Sequence, residues 1–378
     1  MYREDLHPAP IAASRSGAPT EPHRRRCGNL PAVSVRRRRG GAGPSKVTVH
    51  RQIAPRLVCR LANTLLTAAV LVMNGCSRER PVATPALRIG ILPDLDSLPM
   101  LVADAEGFFA AANLRVELVR AASAAERDQL LQAERLDGVV TDPVALVLYD
   151  AGGLPVTAVR HSMVPMPGRP QFRLMAAPGS DLRTAQQLRG VPIATSEGTV
   201  AEYTACRALE AAGLAPGEIK MIAVPALAVR LTLLAEGKVA AAIVPEPFAT
   251  QAALAGSTAL GDEIDHRPFC CSLIAFRNRV LAERRAEVER FALALDRAAD
   301  IINTDKPRAM HRAIKAQILP KSCAESMVLM DYPVGTVPDR ALIDGVVRWL
   351  RERGRLTRSP AYDNIVRPIL PAQAAAAP

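Results

Sequence analysis

Aromatic side chains are scarce in this sequence of 378 residues, which has seven Phe, five Tyr and one Trp. Single-stranded nucleic acids bind to platforms of stacked aromatic rings, and many carbohydrate grooves are lined in the same way. The composition therefore argues against both kinds of site. The scarcity does not prevent folding, because 49% of the residues are hydrophobic. A chain of this length is typical of two to three domains and buries a large core.

A basic surface is missing from most of the chain, although the formal net charge is +11. Residues 1–80 hold 15 Lys and Arg against 4 Asp and Glu, so this segment accounts for the whole excess. Residues 81–378 hold 33 basic and 33 acidic residues. Because a nucleic-acid-binding domain has its own basic face, the balanced charge argues against that function.

Residues 1–50 lack hydrophobic periodicity and are rich in Pro, Gly, Ser and Arg, with arginine runs at residues 24–26 and 36–39. Such a segment cannot bury enough apolar surface to offset its chain entropy. We interpret it as a disordered basic extension or as translated sequence ahead of the true start codon, and the sequence does not choose between these. An RNA- or lipid-binding arm is the less favoured alternative.

No hydrophobic run is long enough to span a membrane. Residues 61–73 are free of charge and follow Arg51, Arg56 and Arg60. This run is too short to cross ~30 Å of hydrocarbon as a helix, but it has the length of a signal-peptide core. The residues that follow it, MNGCS, resemble a bacterial lipoprotein signal, which implies lipidation at Cys76. We predict a signal peptide over residues 51–76, a membrane anchor at Cys76 and a linker over residues 77–85; cleavage as an ordinary secreted protein is the alternative.

Signatures of catalysis and of metal binding are missing. The chain has no GxSxG elbow, no Walker P-loop, no GxGxxG turn after its first predicted strand and no HExxH motif. We therefore predict no catalytic residue, no metal site and no cofactor. Cys206, Cys270, Cys271 and Cys323 match no zinc spacing. They are expected to be buried free thiols, with a disulfide between Cys323 and Cys270 or Cys271 as the alternative.

From residue 87 onward, short apolar strand patterns alternate with helical ones. One set covers residues 87–160 and a second covers residues 172–255. Strands separated by helices imply βαβ units and mostly parallel sheets. The pattern therefore predicts an α/β protein with two lobes. A helical C-terminal segment follows a last strand near residues 270–276, and we expect it to pack on the first lobe.

Helix starts are marked by capping boxes, in which two side chains satisfy backbone amides reciprocally. The predicted boxes pair Ser123 with Glu126, Thr184 with Gln187, and Thr199 with Glu202. The predicted C-terminal helices lie at residues 288–302, 307–318, 323–330 and 338–353.

Ligands of open α/β sheets bind beyond the carboxyl ends of the strands, where helix N-termini converge. The polar residues that follow the predicted strands are the candidates. These are Asp94, Asp96, Ser97, Asp142, Ser196, Glu197, Gly198, Thr199 and Glu246.

Each candidate also has a purely structural interpretation. Asp96 or Ser97 could cap the next helix, and Asp142 before Pro143 has the form of an N-cap. Thr199 is expected to cap its own helix, which leaves Ser196 and the amides of Gly198 and Val200 as donors. Glu246 stands rigidly between two prolines, which favours contact with a ligand.

The segment at residues 87–119, LRIGILPDLDSLPMLVADAEGFFAAANLRVELV, is similar to the start of substrate-binding proteins for nitrate, sulfonate, taurine and thiamine-precursor ABC importers. The stretches LRGVPIATSEGTVAEYTACRALEAAGL and LLAEGKVAAAIVPEPFATQA resemble the second lobe of that family, and WLRERGRLTRSPAYDNIV resembles its helical ending. The resemblance covers residues 86–366.

The resemblance implies a type II periplasmic-binding-protein fold, with residues 86–168 and 268–370 in the first lobe and residues 169–267 in the second. It places the two crossings near residues 165–171 and 265–270. A solute would bind in the cleft, hinge closure would follow, and the closed form would dock on the permease. It transfers the binding loops to Asp94, Asp96, Ser97, Leu98, Asp142, Ser196, Glu197, Gly198, Thr199 and Glu246.

The candidate loops contain five carboxylates and no Lys or Arg. Because several unpaired carboxylates would repel a buried anion, we expect a small amine-bearing, zwitterionic or heterocyclic solute rather than a simple oxyanion. The expected protein is a monomer outside the cytoplasm. The alternatives are an enzyme of pyrimidine or menaquinone metabolism on the same fold, and a receptor that senses a ligand without transport. The sequence does not identify the solute, the start codon or the membrane.

Overall fold

The structure is a computed structural model, which describes residues 85–260 and 270–369. The predicted basic extension, the signal peptide, Cys76 and nearly all of the linker lie outside these residues. Most of the second predicted crossing does so too. Within the described part of the chain, no helix is both long and apolar enough to cross a membrane.

Lobe 1 is built on a five-stranded sheet of order β2-β1-β3-β10-β4. β1 is parallel to β2 and β3, whereas β10 is antiparallel to β3 and β4. Every residue of β3 and β10 is buried, as expected for strands covered on both faces. The strands are β1 (Leu87–Ile91), β2 (Val116–Arg120), β3 (Gly138–Thr141), β4 (Val156–Met163) and, after the second lobe, β10 (Ser272–Arg277).

Three of the four helices of lobe 1 begin where the sequence predicts, and the short helix after Gly107 was not predicted. Ser123 Oγ accepts the Glu126 amide at 3.2 Å, so the predicted cap is present, but Glu126 accepts the amide of Ala122 at 2.8 Å rather than that of Ser123. The first helix ends before Gly107, which has φ +70°. The helices are α1 (Leu98–Ala105), α2 (Phe108–Ala111), α3 (Ala124–Gln132) and α4 (Pro143–Ala151).

Lobe 2 is built on a second five-stranded sheet, of order β7-β6-β8-β5-β9. β6 is parallel to β7 and β8, and β5 is antiparallel to β8 and β9. Residues 164–171 and 260–271 connect the two sheets. Its elements are β5 (Phe172–Ala176), β6 (Pro192–Thr195), α5 (Val200–Ala211), β7 (Lys220–Ala223), α6 (Leu227–Ala235), β8 (Ala241–Pro245), α7 (Phe248–Leu254) and β9 (Thr258–Ala259).

The chain after β10 is helical, with one exception. The predicted helix over residues 323–330 is wrong: a 3-10 turn, Lys321–Cys323, is followed by irregular chain. Tertiary bonds hold that chain extended, because Asn303 bonds the Tyr332 backbone at 2.7 and 2.8 Å. The helices are α8 (Asn278–Glu283), α9 (Arg285–Thr304), α10 (Lys306–Lys315), α11 (Arg340–Glu352) and α12 (Tyr362–Ile365).

Helix α11 does not pack on lobe 1 alone, which corrects the sequence-based expectation. It lies against α4 of lobe 1, and its Trp349 ring meets Tyr203 of α5 edge-to-face, with centroids 5.3 Å apart. One hydrophobic cluster therefore includes residues of both sheets and of α11. The four described cysteines are buried and free, as predicted.

Candidate ligand-binding site

A cavity of about 120 Å³ lies between the lobes, which is room for a small solute and not for a polymer. It is found at the carboxyl ends of β1, β2 and β3 on one side and of β6, β7 and β8 on the other. This is the edge at which parallel α/β sheets bind ligands. The polar residues lining it are Asp94, Asp96, Ser123, Arg127, Thr141, Asp142, Ser196, Thr199 and Arg230.

The structure brings five of the ten predicted site residues to this cavity. They are Asp94, Asp96, Asp142, Ser196 and Thr199. The other five predicted residues do not line it: Ser97, Leu98, Glu197, Gly198 and Glu246.

Three carboxylates form the lobe 1 wall of the cavity. Asp142 Oδ1 accepts the Ala145 amide at 2.9 Å, so this residue is an N-cap and also lines the cavity. Asp94 makes no side-chain cap bond, and its buried Oδ1 has no hydrogen-bond partner in the part of the chain that the structure describes. Burial raises the pKa of all three carboxyls, and the nearby charge of Asp96 raises the pKa of Asp94 further.

Asp96 is bonded to the ends of both links between the lobes. Gln171 Nε2 donates to its carboxylate at 3.0 Å, and Ser272 Oγ donates to the same oxygen. Gln171 directly precedes β5 and Ser272 begins β10. Burial raises the pKa of Asp96 to about 6, although these two hydrogen bonds act in the opposite direction.

Two buried arginines also line the cavity, and the search of the loops did not find them. Arg127 of α3 donates to Val140 O at 3.0 Å and pairs with Asp128 at 2.7 Å. Arg230 of α6 donates to Ile243 O at 3.0 Å and to Ser196 Oγ at 2.9 Å. The statement that the site has no basic residue holds for the loops but not for the cavity. Helical spacing is the sequence signal that could have found them. Each arginine precedes a leucine by four residues, which puts both on the same buried face of the helix.

The loop between β6 and α5 differs from its predicted form. Thr199 does not cap α5; its hydroxyl donates to Ser196 O at 2.6 Å. Glu202 accepts the Gly198 amide at 2.7 Å, so that amide is not free for a ligand. Arg355 holds Glu202 at 2.7 Å and also pairs with the exposed Glu197 at 2.6 Å. Gly198 has φ +73°, which a side chain would strain.

Ser97 and Leu98 have structural roles. Both are completely buried. The Ser97 hydroxyl donates to Leu92 O at 2.8 Å, which ties the start of α1 back to the end of β1. Leu98 belongs to the hydrophobic core of lobe 1.

Glu246 faces a different cavity, beside Arg169, Arg173 and Met327. Its carboxylate pairs with Arg173 at 2.6 Å and accepts the Thr250 amide at 3.1 Å, so it caps the start of α7. Glu246 therefore does not line the cavity between the lobes, where the sequence had placed it.

Comparison with known proteins identifies the fold. The ligand-binding component of an ABC-type import system from Staphylococcus aureus, with zinc bound, aligns with a TM-score of 0.63 at 16% identity, covering 77% of this chain and 99% of that one. The alkanesulfonate-binding protein SsuA from Xanthomonas axonopodis pv. citri, bound to MOPS, aligns with a TM-score of 0.65 at 18% identity, covering 76% and 100%. The desulfurization enzyme DSZB also aligns, with a TM-score of 0.55 at 14% identity, covering 74% and 96%.

The comparison with curated proteins gave no match. The model of the NMT1-like family matches residues 80–319, which is more than half of the chain. The protein therefore belongs to the NMT1-like family and has the periplasmic-binding-protein fold.

Proposed function

We propose that this protein is the extracytoplasmic solute-binding component of an ABC importer. Similarity to the Staphylococcus aureus import component and to SsuA supports this role. The observation that carries the proposal is the cavity itself, whose walls contain buried charged side chains from both lobes. Because the polar lining comes from both lobes, a solute satisfies all of these groups together only when the lobes close on it.

Asp96 supplies a physical link between the solute and the hinge. It lines the cavity and is bonded to Gln171 and Ser272 at the ends of the two links. A solute that changes the charge or position of this carboxylate acts directly on both links. We propose that solute binding drives closure of the lobes through Asp96 and its bonds to Gln171 and Ser272.

The proposed solute is small and amine-bearing, zwitterionic or heterocyclic. Glu197 and Glu246 no longer support this assignment, since neither lines the cavity. Asp94, Asp96 and Asp142 still do. They share the lobe 1 wall with one arginine, Arg127, which is itself paired with Asp128, so three carboxyls against one cation favour a hydrogen-bond donor or a cationic group there.

The proposed location is the periplasm or the cell surface, with a lipid anchor at Cys76 and the permease subunits as partners of a monomeric receptor. A soluble periplasmic form is the alternative. Incorporation of labelled palmitate into the full chain tests the anchor. We expect it to be lost in Cys76→Ser, and labelling that persists in this variant would contradict lipidation.

An enzyme is the second candidate, because DSZB shares the fold. The thiols nearest the links between the lobes do not favour it. Burial raises the pKa of Cys270 to about 12 and raises that of Cys271 as well, so both thiols stay protonated and are poor nucleophiles at neutral pH.

Thermal-shift measurements on the purified protein test the proposed function. Amino acids, amino sulfonates, amines, pyrimidines and nitrate form the panel, and a binding solute raises Tm by mass action. Leu227→Trp, which fills the cavity, should abolish the shift. Val229→Trp on the same helix should preserve it, because Val229 is exposed. The absence of any shift would contradict a binding function, and a shift with nitrate alone would contradict the proposed solute class.

A further inference from the structure

The two lobes contain the same local arrangement around a buried arginine. Arg127 in lobe 1 and Arg230 in lobe 2 each donate from Nη1 to a strand carbonyl that lies 13 residues later, at 3.0 Å in both cases. Each is followed by a buried leucine one helical turn later. Both side chains reach the cavity between the lobes.

The arrangements differ in how the positive charge is balanced. Arg127 is followed by Asp128 and pairs with it, and Tyr149 Oη accepts another of its bonds at 3.2 Å. Arg230 is followed by Leu231. Arg230 is only 3% exposed, and no carboxylate in residues 85–260 or 270–369 pairs with it. Its Nε has no hydrogen-bond partner there either.

An unpaired buried charge is costly, and this one persists at neutral pH. Burial lowers the pKa of Arg230 only to about 10. The lobe 2 wall of the cavity therefore presents a positive charge that the described protein residues do not neutralise.

Helix ends at the cavity show the same asymmetry. On lobe 1, Ser123 and Asp142 cap α3 and α4 with their side chains. On lobe 2, α6 begins at the cavity wall at Ala226, whose side chain cannot cap it, whereas the Glu202 carboxylate already accepts the Gly198 amide at the start of α5. Because a helix N-terminus has a partial positive charge and free amides, the start of α6 on the lobe 2 wall favours a hydrogen-bond acceptor.

The lobe 1 wall of the cavity favours the opposite kind of group, a hydrogen-bond donor. Asp94, Asp96 and Asp142 line it together with Arg127, and the buried Asp94 Oδ1 has no hydrogen-bond partner within residues 85–260 and 270–369. A bound donor group would satisfy that oxygen, and a cationic donor would also balance the carboxylates.

We infer that the solute is a zwitterion bound in one orientation, with its acidic group on Arg230 of lobe 2 and its amine on Asp94 of lobe 1. This inference rests on the proposed function and makes Arg230 the residue that selects an acidic group. It also gives a reason for closure, since the acidic group of the solute neutralises Arg230 on lobe 2 while its amine pairs with Asp94 on lobe 1.

Calorimetric titration of the wild-type protein with matched probes tests the inference without any substitution. β-Alanine and taurine have both charges, propionate and isethionate retain only the acidic group, and ethylamine retains only the amine. We expect at least one zwitterion to bind roughly tenfold or more tightly than both of its single-charge analogues. Equal affinity for a single-charge analogue would overturn the orientation while leaving solute binding intact. If none of these probes binds and the thermal-shift panel gives no shift either, the proposed function fails; if that panel gives a shift only with solutes that lack one of the two charges, the zwitterion is overturned.

Variants then assign the two ends. Arg230→Gln should weaken binding of the zwitterion roughly tenfold or more and leave ethylamine unaffected, whereas Asp94→Asn should weaken the zwitterion and leave propionate unaffected. Arg183→Gln removes the same charge from an exposed position of lobe 2 and is the control. Unchanged affinity of a folded Arg230→Gln variant for the zwitterion would refute the role of Arg230. If that variant does not fold, the calorimetric series on the wild-type protein still tests whether the solute must have both charges.

Discussion

At the scale of single residues, the cavity is defined by ionisable groups that are buried to different degrees and balanced in different ways. Arg127 has a carboxylate partner at 2.7 Å, whereas Arg230 is buried with two neutral acceptors. Asp142 accepts a hydrogen bond from a backbone amide, whereas one oxygen of Asp94 has no partner among the described residues. Such groups cost stability in the unliganded protein and are the ones that a ligand can satisfy.

The raised pKa of Asp94 leads to a prediction about stability and pH. A carboxyl whose pKa is higher in the folded than in the unfolded state stabilises the fold fully below its unfolded pKa of about 4, and this contribution is lost as the pH rises. We expect Asp94→Asn without solute to have nearly the wild-type Tm at pH 4 and a higher Tm than wild type at pH 7 to 8. Thermal unfolding between pH 4 and 8 measures this difference.

The control for this prediction is Asp104→Asn, since Asp104 is an exposed carboxylate on α1. Its Tm difference from wild type should not grow with pH. A Tm of Asp94→Asn that stays equal to the wild-type value at pH 8 would show that the buried carboxyl is not destabilising.

At the scale of elements, the short loops depend on partners that are remote in sequence. The loop before α5 takes its form from Glu202, which binds the Gly198 amide and is held by Arg355 from beyond α11. A local capping rule therefore predicts the correct residue, Glu202, with the wrong bond. Arg353, which directly follows α11, pairs with Glu210 of α5 at 3.8 Å. Arg353 and Arg355 therefore both attach the C-terminal region to α5.

Trp349 on α11 gives the prediction for this scale. The ring is completely buried against Tyr203, and truncating a buried Trp to Ala leaves a cavity that the fold fills only partly. We expect Trp349→Ala to lower the free energy of unfolding by about 3–5 kcal/mol. Urea denaturation followed by far-UV circular dichroism measures it.

The matched control is Leu254→Ala, because that side chain on α7 is 55% exposed. It should change the free energy of unfolding by no more than about 0.5 kcal/mol. A loss below about 1 kcal/mol for Trp349→Ala would mean that α11 does not hold the lobes as the packing indicates.

At the scale of the whole molecule, the lobes are separate sheets with a shared core. The largest hydrophobic cluster contains Ala158 of lobe 1, Ile193 of lobe 2 and Trp349 of α11. The proposed hinge motion must therefore preserve the packing around α11 while it opens the cavity. Asp96 lines the cavity and is bonded to Gln171 and Ser272, so the proposed solute site and the two links share this residue.

The amino-acid sequence by itself determined the two α/β sets, the Asp142 cap and the end of the first helix at Gly107. These features depend on contacts within a few residues, where hydrophobic period and capping chemistry decide the outcome. The resemblance of the ordered motifs added the two-lobed fold, which the family match and the structural neighbours confirm.

Only the tertiary structure decided which side chains reach the cavity. Glu246 turns to Arg173, Gly198 is bonded by Glu202, and Arg230 enters from a helix that the loop search did not cover. The pairing of Glu246 depends on a partner far away in the sequence, Glu202 is fixed by Arg355 from beyond α11, and Arg230 is placed by which face of its helix is buried. The charge of a binding site is a sum over such distant contacts, so it is fixed only when the lobes are assembled.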